Sequence, residues 1–176
     1  MHADDAESRA ALHLAQALEA LGLVDDPELA QTPAQVAELL AGFRPQAPPP
    51  CTALPTASHD LVVLRDLPFH SLCAHHLLPF FGTCTIAYLP NGKVGGLGWF
   101  PRLLEAHARR PQLQERLAAQ VADGVMAALS PGCVGVRVVA RQLCVEMRGA
   151  RSAGRFEVTA IRGVPDRSLE QALSRG

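Results

Sequence analysis

Between Leu113 and Leu129 an apolar residue returns at every fourth position, through Leu117, Val121 and Val125. A stripe of that period gives a helix one apolar face, and a helix of this kind needs a flat surface to lie on. The flanking sequence supplies one. Phe80 to Leu89 reads as a strand ended by Pro90-Asn91-Gly92, and Val134, Val136 and Val138 alternate within a second strand from Cys133 to Arg141. Ser130-Pro131-Gly132 stops the helix before that second strand. Gly124 falls inside the helix and weakens it by about 1 kcal/mol relative to Ala, a cost the stripe carries.

The rest of the chain fits the same plan. Ala6 to Leu23 carries Leu12, Leu14, Leu18 and Leu21 at near-helical spacing and is broken by Asp25-Asp26-Pro27. Thr32-Pro33-Ala34-Gln35 reads as a capping box opening a second helix with Val36, Leu39, Leu40 and Phe43 on its apolar face. Residues 44–59, with Pro48-Pro49-Pro50, lack periodicity and form a connector. Leu61 to Phe69 is a buried strand leading into the turn Ser71-Leu72-Cys73-Ala74-His75-His76, so that this turn closes one end of a hairpin-like pair. Phe100 to Arg110 reads as helix, and Pro111 restarts the striped one. Leu143 to Met147 either continues the preceding strand or bends at Cys144. A last strand spans Arg155 to Ile161, and a short helix runs from Pro165 to Ser174. Antiparallel hairpins with helices layered on one face make an α+β domain. The expectation is one domain over residues 1–176, with an N-terminal helical segment (1–45), a core (60–163) and a C-terminal tail (164–176).

Charge narrows the function. Sixteen basic and seventeen acidic residues nearly cancel, which leaves no electrostatic footprint for nucleic acid or an anionic membrane. Five cysteines without framework spacing argue for a reducing compartment, and the acidic start of the chain lacks the pattern of a signal peptide. A cytoplasmic protein without a membrane span is expected.

Cys73 and His76 can bind one ion from a single short turn, and Cys144 offers a third soft ligand. Three protein ligands leave a tetrahedral zinc with one open position, as a catalytic zinc requires. On spacing alone the alternative stands beside it: Cys73 and Cys144 as buried apolar residues and His75-His76 as a surface pair.

Several segments taken in order resemble the GTP cyclohydrolase I family: Val63-Leu-Arg-Asp66, Cys73-Ala-His-His76, Ala87-Tyr-Leu-Pro90, Arg110 to Leu117 and Cys144-Val-Glu-Met-Arg-Gly149. The resemblance covers about Thr32 to Gly149. It implies the tunnelling fold, in which small antiparallel sheets from many subunits join into a barrel with helices outside. It also implies a toroidal homo-oligomer, commonly a decamer, with active sites shared between neighbours. The implied reaction opens the imidazole ring of GTP at C8, releases formate and yields 7,8-dihydroneopterin triphosphate. By the same resemblance Cys73, His76 and Cys144 hold the zinc and His75 moves a proton on the imidazole. Glu115 takes the guanine edge with Gln114 beside it, and Arg102 and Arg148 face the phosphates.

Three positions depart from the family pattern. Ala74 stands where the family has Glu, Gln142 where it has a histidine two residues before the last zinc ligand, and Gly98-Trp99 where it has Ser-Lys. An amide hydrogen-bonds but does not shuttle a proton, a service worth about 10²–10⁴ in rate. One Lys and one His are therefore missing around the triphosphate, with Arg151 and Arg155 as nearby cations. Three readings follow from this: a GTP-opening enzyme, a paralogue acting on a guanine compound with fewer phosphates, and a non-catalytic zinc- or pterin-binding relative or partner subunit.

Overall fold

The computed structural model describes residues 3–164 and 166–174. The chain divides into two compact units, Met1–Arg44 and Pro45–Gly176.

The first unit holds α1 (Ala3–Ala20), a 3-10 turn (Pro27–Gln31) and α2 (Thr32–Ala41). Helix α1 stops short of Leu23 because Gly22 adopts φ 68° and the Leu23 N–H turns back to the Leu18 carbonyl at 2.9 Å. The expected capping box does not form. Asp26 instead caps the 3-10 turn by accepting the Glu28 N–H at 3.0 Å, and Thr32 is already helical with its own N–H on the Leu29 carbonyl.

The second unit runs β1 (Ala53–Pro55), β2 (Val62–Cys73), β3 (Pro79–Leu89), β4 (Lys93–Gly95), α3 (Trp99–Ala108), β5 (Pro111–Gln112), α4 (Gln114–Leu129), β6 (Cys133–Gln142), α5 (Leu143–Glu146), β7 (Phe156–Gly163) and α6 (Arg167–Ser174). Its main sheet has the order β5-β2-β3-β6-β7, antiparallel throughout except that β5 runs parallel to β2. Strand β2 carries an irregularity between Leu64 and Leu67, where Asp66 takes φ 54°.

Alternation along the strands decides what each face covers. Cys84, Ile86, Tyr88, Val134, Val136 and Val138 lie in one core with Phe100, Leu103 and Leu104 of α3 and Leu117, Val121, Val125 and Leu129 of α4. Gly124 sits where α3 comes closest: a Cβ there would lie 2.9 Å from Leu103 Cδ1. Residues of opposite parity, Ala87 and Cys133, pack with Leu169 and Leu173 of α6. The terminal helix therefore covers part of the face that α3 and α4 leave open. Pro165, expected to begin it, lies outside the described residues. Cys84 and Cys133 are packing residues. Burial raises both thiols, Cys84 to about 12.

Pro111 does not restart a helix. Residues Pro111 and Gln112 pair with Leu72 and Cys73, and α4 begins only at Gln114. Gln112, fully buried, fixes this junction: its amide nitrogen reaches the His107 carbonyl and Gln120 Oε1, both at 2.9 Å, and its oxygen accepts the Leu113 N–H at 3.0 Å. The pairing brings the start of α4 beside the end of β2.

Candidate metal centre and active site

Strand β2 ends in a turn held by four backbone hydrogen bonds. The Cys73 N–H donates to the Leu78 carbonyl at 2.8 Å, and the Cys73 carbonyl accepts from Leu77 at 2.8 Å and from His76 at 3.3 Å. Ala74 donates its N–H to Gln112 across the β5 pairing at 2.9 Å. The turn thus presents Cys73 and His76 on one side, with Sγ and Nδ1 3.7 Å apart. Cys144 arrives from α5, which bends sharply away from the end of β6 and so resolves how Leu143 to Met147 continues.

The ligand atoms of Cys73, His76 and Cys144 all lie within 4.8 Å of one another. Zinc bonds of about 2.3 Å to sulfur and about 2.0 Å to nitrogen place tetrahedral ligand atoms about 3.5–3.8 Å apart. The Cys73–His76 pair already meets that spacing, and a contraction of about 1 Å at the widest separation would close the set on one ion. Burial and then the neighbouring Cys73 thiol hold the Cys144 thiol above its ordinary range. Two sulfurs and an imidazole with this mutual reach form a donor set that suits zinc and leaves a fourth position free.

The other residues singled out in the sequence fall into three groups. His75 and Glu115 are exposed, and their side chains have no hydrogen-bond or ion-pair partner among the described residues. The His75 ring centroid lies 6.0 Å from that of His76, and Glu115 stands on the first turn of α4. Arg148 rests on the centre itself, with Nη1 2.7 Å from His76 Nε2. Arg102 is exposed on α3, and no hydrogen bond or ion pair joins it to the three ligands.

Gln114 is 4% exposed, and its amide is turned inward. Nε2 donates to the Val138 carbonyl at 3.0 Å and the Phe156 carbonyl at 2.8 Å, while Oε1 accepts from Gln142 Nε2 at 2.8 Å. Gln142 Oε1 in turn accepts from Cys144 Sγ at 3.9 Å. Sequence reasoning missed the bond between these two glutamines and the buried role of Gln112.

At the three departures the structure is specific. Ala74 is exposed, so no core contact is lost there. Trp99 is 3% exposed, its indole N–H donates to the Pro49 carbonyl at 2.9 Å, and its ring meets Phe100 edge-on. It is a core residue.

Comparison with known proteins agrees with this geometry. The family model described as GTP cyclohydrolase I matches residues 10–173. GTP cyclohydrolase 1 of Geobacillus kaustophilus (strain HTA426) is 45% identical over 146 residues, 81% of this chain and 77% of that protein. The Streptococcus gordonii protein of the same name is 43% identical over 164 residues, 89% of this chain and 88% of its own length. Among solved structures, the apo form of the archaeosine synthase QueF-Like shares 27% identity with a TM-score of 0.50, covering 61% of this chain and 99% of its own. That neighbour has the tunnelling fold, and the α+β sheet with its layered helices is of the same kind. The family match over residues 10–173, with relatives 43–45% identical over more than four-fifths of the chain, establishes that the chain belongs to the GTP cyclohydrolase I family.

Proposed function

We propose that the protein is a zinc-dependent hydrolase that opens the imidazole ring of a guanine nucleotide at C8 with release of formate, converting GTP to 7,8-dihydroneopterin triphosphate. The observation that carries this reading is the convergence of Cys73, His76 and Cys144 from two distant segments. Zinc held by these three residues would supply Lewis acidity and lower the pKa of water. His75, beside the centre and free of other partners, exchanges a proton with the opening imidazole. Glu115 accepts the guanine N1–H and exocyclic amine with its two carboxylate oxygens. Gln114 lies under that contact. Arg148 leaves His76 for the phosphates, and Arg102 joins them from a neighbouring subunit of a toroidal, decamer-like homo-oligomer.

In this reading both units belong to one functional domain, and its five free cysteines suit the reducing cytoplasm. No described helix is long and apolar enough to cross a membrane.

A second reading, a paralogue for a guanine compound with fewer phosphates, is favoured by Trp99 and Gln142. The first is buried at the family's Lys position and the second, a neutral amide, is committed to Gln114. Losing two charge-assisted contacts at about 1.5–3 kcal/mol each weakens triphosphate binding selectively. Incubation of the zinc-loaded protein with GTP, GMP and guanosine, followed by formate release and pterin absorbance, separates the readings. Formate from GTP supports the first, and formate from GMP or guanosine alone supports the second. Zinc binding with no formate from any of the three refutes both and points to a non-catalytic relative.

A further inference from the structure

The hydrogen bonds around Gln114 have a fixed polarity. Carbonyl oxygens only accept, so the Val138 and Phe156 carbonyls require Nε2 of Gln114 and point its Oε1 at Gln142. Gln142 must then present Nε2 to Gln114, which turns its own Oε1 toward Cys144. Two strands thereby set the orientation of both amides. Leu113, the residue before this helix end, provides no side-chain cap; Gln112 holds the same end from the β5 side by accepting from Arg116 Nε and donating to Gln120, and the glutamine pair holds it from the β6 side. Both amide hydrogens of Gln114 are taken, so it has no donor left for a bound base.

We propose that Gln114 and Gln142 are positioning residues: the pair ties the first turn of α4, which carries Glu115, to the end of β6 that leads into Cys144. Base grip and metal ligands are thus kept in one relative position. This rests on the reading of Glu115 given above. Gln114 acts through its neighbour rather than by touching the substrate, and Gln142 is needed as a side chain that donates to Gln114.

The test is guanosine binding to the zinc-loaded protein by calorimetry, with thermal stability and zinc content measured on the same samples. Gln142→Leu removes the link, and an ionised Gln142→Glu cannot donate to Gln114. Each is expected to weaken guanosine binding by about tenfold. Gln142→His, whose neutral ring keeps one N–H donor for Gln114, is expected to restore most of the affinity. Gln114→Met is expected to lose as much as Gln142→Leu, and the double variant no more than the worse single one, because the two residues act as one unit. Should Gln114→Met fail to fold, the three Gln142 variants decide the matter by themselves. Wild-type affinity in Gln142→Glu, or additive losses in the double variant, would overturn the proposal. Glu115→Gln keeps the two failures apart. Unchanged guanosine affinity in that variant overturns the base grip itself, whereas its loss alongside normal binding in Gln142→Leu overturns the positioning role alone.

Discussion

Cys73 reaches the metal centre from the end of a twelve-residue strand, Cys144 from a single helical turn, and the two segments are held by different means. Around Cys73 the restraint is main chain: both backbone groups of the residue are bonded, and Ala74 is pinned to Gln112. Around Cys144 the chain is a single helical turn closed by the Met147 N–H on the Leu143 carbonyl at 2.9 Å, and side chains add to it, from Gln142 and from Arg141 paired to Glu146. Backbone-held geometry tolerates a change of exposed side chain, and side-chain-held geometry does not. That difference sorts two of the departures from the family pattern. Ala74 lies on the backbone-held turn, where the ligands keep their place whatever residue 74 is. Gln142 lies where the side chain is the restraint, and its replacement of histidine alters what holds Cys144.

The largest effects should fall equally on both segments, because each supplies a ligand in the proposed zinc site. Cys73→Ser and Cys144→Ser are expected to hold less than about a tenth of stoichiometric zinc and to lose formate release by at least about 10²-fold. Metal analysis and a formate assay on the two variants check this. Full zinc content in either one would show that the three residues do not share an ion.

Next comes the anchor beneath the backbone-held turn. Ser71 is 1% exposed, and its hydroxyl donates to the Ala108 carbonyl at 2.7 Å with the Arg110 carbonyl at 3.2 Å, joining β2 to the end of α3. Ser71→Ala removes this buried bond while the Ala108 carbonyl keeps the Arg110 N–H, and the expected cost is about 0.5–1.5 kcal/mol. Urea unfolding of the metal-free protein measures it. A cost near zero would mean that the main chain holds this turn without help from below.

Much of this was legible in the residues. The stripe from Leu113 to Leu129 and the alternation of Val134, Val136 and Val138 each report a one-sided burial that the fold then satisfies, and the Cys-x-x-His turn needed only the distant Cys144 to become a site. What stayed hidden depends on long-range pairing. Pro111-Gln112 is a strand only because Leu72 and Cys73 lie beside it, and no local propensity announces a two-residue strand. Gln114 reads as a polar residue at a helix start, and nothing nearby in sequence reveals the Val138 and Phe156 carbonyls that draw it inward. The cap expected at Thr32 fails for a local reason, since Asp26 starts the helical backbone five residues earlier.

A matched pair of glycine substitutions sharpens the contrast between the turns. Leu77 is 48% exposed and holds φ 53°, a left-handed conformation that costs a residue with a Cβ about 1–2 kcal/mol. Met147, 63% exposed, closes the other turn at φ −86° and ψ −19°, an ordinary helical conformation. Leu77→Gly is therefore expected to raise stability or leave it unchanged, by up to about 1 kcal/mol, and Met147→Gly to lower it by about 0.5–1 kcal/mol. Opposite signs in parallel denaturation curves would confirm that one turn is fixed in a strained backbone state and the other is not. Equal losses would remove that distinction.

The smallest effect is expected at Arg141, which faces Glu146 across the Cys144 turn with side-chain exposures of 50% and 11%. Donation from the guanidinium holds the Glu146 carboxyl below the usual carboxylate range, so both groups are charged at neutral pH. With Arg141 half in water the attraction is screened, and both long side chains lose freedom in making it, so the gain is small. Arg141→Gln should lower the melting temperature by no more than about 2 °C, and the difference should shrink in 1 M salt, where the screening length is about 3 Å. The guanidinium also lies 5.8 Å from the centroid of the Phe81 ring, a contact that salt screens less than the exposed ion pair. A larger drop that persists in high salt would therefore assign the restraint on the Cys144 turn to the Phe81 contact. That turn would then be tied to the face of the sheet rather than to its own carboxylate.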